Sequence, residues 1–521
     1  MDHRSGFVRE FLERLESQSR GTRQWQNTDL PNYNVCDARD QELVISHSTP
    51  LNFQLGTGAS LFTSALIPAI LSAKSEIILV TCFWAPSQIL LSIRDALAEI
   101  ATQRRCLIQG ARSRGAHSIQ PLRIRICFSS RSFLQRLFHP QSRDGYIYPP
   151  STWCTELGLP GPSLLEAGGI DLVVKSLFFL PFSVMHPKFI IIDRQRALIP
   201  SCNVSWESWL EGCVEIAGDA VLGLMSFYAR TWDRSLDVRQ PVAHSDAEVL
   251  AVNSQHASPS LIRSSADYLA RFSPTATPLL TLILPSSHHR NPDFRPLPWQ
   301  RSPRVPGTPL NVALLQLFEQ AQHTIYIQTP NLTCEPVVSA LLDALRRGVD
   351  VTIVTNRKMM LLEQLITAGT TTSWRVRSLV RRFSKLRAAH SKRHPRSGGF
   401  RALPTDEGAD MMDDLEAAPV QLGHLLVSYF RARPHGDRWQ SSAEVQMEGE
   451  EPVHSHVKLT IVDEEYTVLG SGNMDRASWY TSQELGILLQ DREFAAAVKA
   501  GVDRVLDGRL DRSFDSAREP T

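Results

Sequence analysis

The chain has 521 residues, with 55 Lys and Arg against 54 Asp and Glu, for a net charge of +1. Hydrophobic residues make up 42% and charged residues 21%, which excludes global disorder and a protein that binds polyanions through its overall charge. The eight cysteines show no CxxC pair and no Cys/His zinc spacing, so reduced thiols and no metal are expected. The first twenty residues lack a signal peptide's apolar core and carry Glu10, Glu13 and Glu16, so a cytoplasmic location is expected. The most apolar stretches, 59–73 and 170–193, are interrupted before the roughly 18–20 residues a membrane-spanning helix needs.

In chain order, residues 1–50 are expected to form an amphipathic helix and an arm on the first lobe. Helical periodicity marks 60–73 and 87–103, and β-branched runs mark strands at 76–82, 122–128, 170–175 and 187–193. The pattern recurs with helices at 310–322 and 335–347 and strands at 324–329, 349–355 and 457–463. Strand–helix–strand alternation predicts an α/β fold of two pseudo-two-fold-related lobes, each a mixed or parallel sheet flanked by helices. The lobes are placed at 51–245 and 306–500, with a linker or crossover at 246–305, a disordered insertion at about 387–420 and a C-terminal tail at 501–521.

Residues 186–209 and 456–479 align without gaps at a constant offset. His186/His456, Lys188/Lys458, Ile191/Ile461, Asp193/Asp463, Ser201/Ser471, Asn203/Asn473, Ser208/Ser478 and Trp209/Trp479 are identical pairs. Upstream, AKSEIILVTCFWAP (73–86) repeats more faintly as AQHTIYIQTPNLTC (321–334).

On a strand, His186 and Lys188 share a face, as do His456 and Lys458, while Asp193 and Asp463 point away and read as structural strand-end groups. If the lobes meet on these faces, one cleft gathers two imidazoles, two ammonium groups and the amides of Asn203 and Asn473. That set suits a phosphodiester: cations and amides stabilise phosphoryl oxygens, one imidazole attacks phosphorus and the other protonates the leaving alcohol. A downstream acid at near-equal spacing in each copy is expected to fix the histidine tautomer, Glu215 after His186 and Glu484 after His456. Ser201 and Ser471 either donate to phosphate or shape the turn. Trp209 and Trp479 read as core aromatics, and His454 as a cleft-rim residue.

The paired units resemble the HKD signatures of the phospholipase D superfamily, over most of residues 50–500. IYIQTPNL and ALRRGVDVTIVTN look like the second lobe of cardiolipin-synthase-type and phosphatidyltransferase-type members. The resemblance implies a covalent phosphohistidine resolved by water or an alcohol, with no cofactor or metal, His186 as nucleophile and His456 as general acid. The family pattern has glycine where this chain has Pro200.

A phospholipid substrate is the leading expectation, by hydrolysis or by phosphatidyl transfer. A nuclease or DNA-end-processing phosphodiesterase with the same cleft is the alternative, and a monomer is expected because both half-sites lie in one chain. The stretch 375–396 holds nine Lys and Arg. It reads as a basic amphipathic helix making peripheral contact with an anionic intracellular membrane through Trp374, Val376, Leu379, Val380, Phe383 and Leu386.

Overall fold

The computed structural model describes residues 6–20, 43–115, 119–132, 135, 144–179, 183–239, 267–274, 276–288, 304–393, 421–433 and 451–518. In the first lobe the apolar run Glu76–Phe83 (β2) follows β1 (Ile45–Thr57) and is buried along nearly its whole length, as a central strand with both faces covered must be. Helix α2 (Gln88–Ser113) starts at Ser87, whose side chain accepts from the Leu90 N–H, and carries the chain over to β3 (Leu122–Ser130). β4 (Ile170–Ser176), β5 (Phe189–Ile192), β6 (Arg196–Pro200) and β7 (Trp209–Ala217) complete the sheet in the order β4-β3-β2-β5-β6-β7-β1. The first three strands are mutually parallel and the rest antiparallel. Helix α3 (Ala220–Trp232) packs against β1 and β7.

The second lobe repeats this topology. β8 (Tyr268–Arg271) and β9 (Leu279–Ser286) come first, followed by α4 (Pro309–Gln320), β10 (Thr324–Gln328), α5 (Glu335–Arg346) and β11 (Asp350–Thr355). Two helices, α6 (Leu361–Ala368) and α7 (Thr372–Arg393), precede β12 (Leu425–Phe430). Then come β13 (His454–Ser455), β14 (Leu459–Val462), β15 (Tyr466–Gly470), α8 (Arg476–Tyr480), β16 (Glu484–Gln490), α9 (Arg492–Leu506) and β17 (Leu510–Asp515). The order β12-β11-β10-β14-β15-β16-β9 matches the first lobe strand for strand, and the mixed α/β sheet flanked by helices is the one the sequence pattern implies.

The two sheets join edge to edge. β1 pairs antiparallel with β9, Ile45 opposite Leu282, and a core including Phe53, Phe189, Val214, Ile283, Val457 and Ile487 draws side chains from both lobes. This seam sets the lobes in one relation and so fixes the cleft between them.

Four expectations need correction. The stretch 246–305 is more than a linker, because β8 and β9 lie in it and pair with β1. The segment 501–521 is more than a tail: α9 runs to Leu506 and β17 pairs antiparallel with β12. Residues 387–393 are helical as the end of α7, and the rest of the insertion, 394–420, lies outside the described residues. The N-terminal helix α1 (Gly6–Arg20) packs on the second lobe, burying Phe7, Val8, Phe11 and Leu15 beside Leu314 and Phe318. Arg14 pairs with Glu319 at 2.6 Å in the same contact.

Helix α7 also differs from its sequence reading. Val376, Leu379 and Phe383 are almost fully buried, and Val380 and Leu386 pack on the same core. Arg375 and Arg382 bind Glu335 of α5. The apolar stripe that looked free for a membrane belongs to the lobe's interior, and of that set Trp374 alone is largely exposed, at 56%. Among the described residues no helix is long and apolar enough to cross a membrane.

Candidate active site

Each histidine lies in the short extended stretch leading into β5 or β14, held there by the opposite lobe. The His186 N–H donates to the Gln483 carbonyl at 3.0 Å, and the His456 N–H donates to the Leu210 carbonyl at 2.7 Å. These bonds extend the parallel pairings Met185↔Gln483 and Ser455↔Leu210. The residue after each of those carbonyls is a glutamate. Glu484 therefore reaches His186 Nδ1, at 2.8 Å, and Glu211 reaches His456 Nδ1, at 2.9 Å.

The lobes thus exchange acids. Glu484, expected beside His456, serves His186. Glu215, expected beside His186, lies elsewhere: it accepts from Asn52 Nδ2 at 2.6 Å and pairs with Arg196 at 3.0 Å. The residue that holds His456 is Glu211, which sequence spacing passed over. Ser201 and Ser471 brace this pair of acids. The Ser201 hydroxyl donates to Glu211 and that of Ser471 to Glu484, while the Gly212 and Leu485 N–H groups donate back to the two hydroxyls at 2.9 and 3.0 Å.

With each Nδ1 facing a carboxylate, Nδ1 carries the proton and Nε2 is left for chemistry. Burial lowers the His186 imidazole below its ordinary value despite the opposing pull of Glu484. Burial together with the charges of Lys458, Lys188 and His186 drives His456 well below. The two acids diverge. Burial acts to raise Glu484, but His186 and the Ser471 hydroxyl outweigh it and hold the carboxyl below its usual value. Burial lifts Glu211 to about 7, so one histidine faces a firmly ionised carboxylate and the other a carboxyl that titrates near neutrality.

Lys188 and Lys458 are buried to 2% and 4% exposure, and their ammonium groups donate to the carbonyls of His186 and His456 at 2.9 and 2.7 Å. Burial lowers Lys458 to about 7. Asn203 and Asn473 both line the cleft, and each has a buried Oδ1 without a hydrogen-bond partner. The Asn473 amide donates to Asp475 at 3.0 Å, and Asp475 caps α8 through the Ser478 N–H.

Asp193 and Asp463 sit outside the cleft, each the first of the two left-handed central residues (φ 51° for both) of a β-turn in a three-residue hairpin connection, closed by the Gln195 N–H to the Ile192 carbonyl and by the Glu465 N–H to the Val462 carbonyl. That turn needs positive φ at both central positions, which Asp tolerates better than most residues. Asp193 accepts from the N–H groups of Lys74, Ser75 and Glu76, and Asp463 from those of Gln322, His323 and Thr324. Each thereby ties the hairpin that carries a histidine to the neighbouring central strand.

The cleft, of about 390 Å³, is lined by His186, His456, Asn203 and Asn473, by apolar side chains that include Phe83, Phe178, Met360, Leu362 and Ile366, and by polar ones that include Glu207, Glu363 and Asp475. The repeated tryptophans have parted roles. Trp479 is buried in α8, whereas Trp209 lines the cleft with its ring 4.8 Å from that of His456. His454 is half-buried on β13 beside Trp209. Among the described residues no group of three His, Cys, Asp or Glu side chains is arranged to hold a metal ion.

Residues 314–506 match the family model described as cardiolipin synthase, PLD-like domain. The match covers the second lobe, which is similar to a phospholipase D-like domain, and it agrees with the resemblance carried by the duplicated motif. No curated relative matches by sequence. Solved structures with some likeness include phosphatidylserine synthase from Haemophilus influenzae Rd KW20, at 15% identity over 91% of each chain with a TM-score of 0.47. Polyphosphate kinase from Porphyromonas gingivalis matches at 10% identity over 89% of this chain and 49% of its own, TM-score 0.41. The phospholipase D family member Nuc from Salmonella typhimurium matches at 16% identity over 40% of this chain and 92% of its own, TM-score 0.23.

Proposed function

We propose that the protein cleaves or transfers the phosphodiester of a glycerophospholipid through a phosphohistidine on His186. The observation that carries this reading is the reciprocal pair of histidine–glutamate couples facing one cleft. His186 Nε2, neutral and backed by ionised Glu484, attacks phosphorus; the P–O bond to the alcohol breaks, and His456 gives the leaving oxygen its proton. In the second step His456 takes a proton from water or an acceptor alcohol, whose oxygen attacks phosphorus and releases His186 as the P–N bond breaks. Lys188 and Lys458 offset the phosphoryl charge, and the unbonded Oδ1 atoms of Asn203 and Asn473 are suited to accept from the O–H of the leaving or attacking alcohol. The low resting basicity of His456 comes partly from the two nearby lysines, so a bound phosphate anion raises it and readies it as the acid.

The apolar side chains of the cleft, and the lack of cations beside them, favour lipid over nucleic acid. Among the described residues no Lys or Arg lines the cleft, whereas Glu207 and Glu363 do, and a polyanion strand is tracked by rows of cations. The test is incubation of the purified chain with labelled phosphatidylcholine, phosphatidylglycerol and single-stranded DNA in the presence of chelator. Lipid turnover that survives chelator and disappears in His186→Ala and His456→Ala is the expected result; turnover of DNA alone would replace the lipid reading with the nuclease one. Label trapped on the protein with His456 removed, and absent once His186 is removed as well, would assign the nucleophile.

A further inference from the structure

Helix α6 is built inside out. Its one buried residue is polar Gln364, whereas Leu361, Leu362, Leu365 and Ile366 are 40%, 72%, 42% and 48% exposed, with Met360 at 41% just before them. Polar bonds rather than a core hold the helix down. Gln364 Nε2 donates to Asn331 Oδ1 at 2.8 Å and to the Met359 carbonyl at 2.5 Å, and its Oε1 accepts from the Thr372 N–H at 2.6 Å. Trp374, at the start of α7, adds to the exposed apolar surface. Water opposes leaving so many apolar side chains uncovered.

Two features indicate what covers it. Met360, Leu362 and Ile366 belong both to the exposed face and to the cleft wall, so whatever lies on α6 meets the cleft mouth. Cations flank the patch on both sides in sequence: Arg357 and Lys358 before it, Arg377, Arg381 and Lys385 on the exposed side of α7 after it, with Glu363 as the one acid of α6. An apolar step bordered by basic residues matches the boundary between acyl chains and anionic headgroups. We propose that α6 and Trp374 seat the protein on an anionic phospholipid bilayer, so that the cleft opens at the lipid surface and the substrate's acyl portion passes along Leu362 and Ile366. The proposal rests on the lipid reading given above, and it moves the membrane contact from the stripe of α7, which is buried, to α6.

The experiment uses the full chain and the triple variant Leu361→Ser/Leu365→Ser/Trp374→Ser, whose positions do not line the cleft. Flotation with vesicles of equal parts phosphatidylcholine and phosphatidylglycerol is expected to carry the wild type. The bound fraction should fall about tenfold or more in the variant, by the loss of two or three inserted side chains. Arg377→Glu/Arg381→Glu should weaken binding to these vesicles, with little effect on phosphatidylcholine alone. Turnover of a short-chain phosphatidyl substrate kept monomeric should be equal in wild type and triple variant, while turnover on vesicles drops in the variant. Failure of the wild type to float, or equal flotation of the triple variant, would overturn the proposal. So would a wild-type dimer that the variant converts to monomer, since a second copy would then cover the patch. Flotation without cleavage of any lipid would instead sink the lipid-hydrolase reading and leave the docking face standing.

Discussion

Glu211 and Glu215 lie on the same strand four positions apart, and the structure gives them unrelated work. Glu211→Gln is expected to lower kcat by about 10²–10⁴-fold, because it removes the group that orients and charges His456. Glu215→Gln, which loses bonds to Asn52 and Arg196 only, should leave kcat within a few-fold. Steady-state kinetics on the two purified variants decides between them, and the opposite ranking would return the orienting role to Glu215. Glu211 also marks stability. Its carboxyl is raised from 4.5 to about 7 in the folded chain, so the fold holds a proton that the unfolded chain has released. Its contribution is full below about 4.5 and is lost as pH rises through about 7, at up to ~1.4 kcal/mol per pH unit. Thermal midpoints measured across that window should fall less steeply in Glu211→Gln than in the wild type.

At the scale of elements, the sequence conveyed periodicity well and partners poorly. The strands around each HxK unit were legible because a fully buried strand must be continuously apolar, and the helical run 310–322 lies close to α4. The apolar stripe of α7 was legible too, but a stripe says only that one face is covered, and whether protein or lipid covers it depends on distant residues. The acids show the same limit more sharply. Three more residues separate Trp479 from Glu484 than Trp209 from Glu211, where α8 is formed, so equal counting from the histidines lands on Glu215. Strand register would have found Glu211, since Ser201 and Ser471 donate their N–H groups to the carbonyls of Gly212 and Leu485, one residue past each glutamate. Two substitutions test these element-level roles. Phe383→Ala should cost about 3–5 kcal/mol in chemical denaturation, as a core position and not a lipid-facing one. Asp193→Asn, which weakens charge-assisted bonds to three N–H groups, should cost about 1.5–3 kcal/mol while leaving the cleft's residues in place.

For the whole molecule, the relevant unit is the pair of lobes. The β1–β9 seam and the shared core hold two half-sites in one register, so a phosphate mimic that engages both histidines should bind the docked pair and not the separated lobes. Vanadate or inorganic phosphate is expected to raise the thermal midpoint of the wild type. Saturation at about 100 times the dissociation constant would correspond to ~2.7 kcal/mol. The same addition should have little effect on a His186→Ala/His456→Ala chain; an equal shift in both would place the anion elsewhere.

The exchange of glutamates also bears on how the protein is made. His186 and Glu484 are 298 positions apart, so during synthesis the proposed nucleophile emerges long before the carboxylate bonded to its ring. A chain ending before Glu484 leaves that imidazole without its carboxylate, and such a chain is expected to be inert toward phosphodiesters. Chemistry switches on only when the last strands of the second lobe have formed and docked, which makes activity a report on completion of the fold.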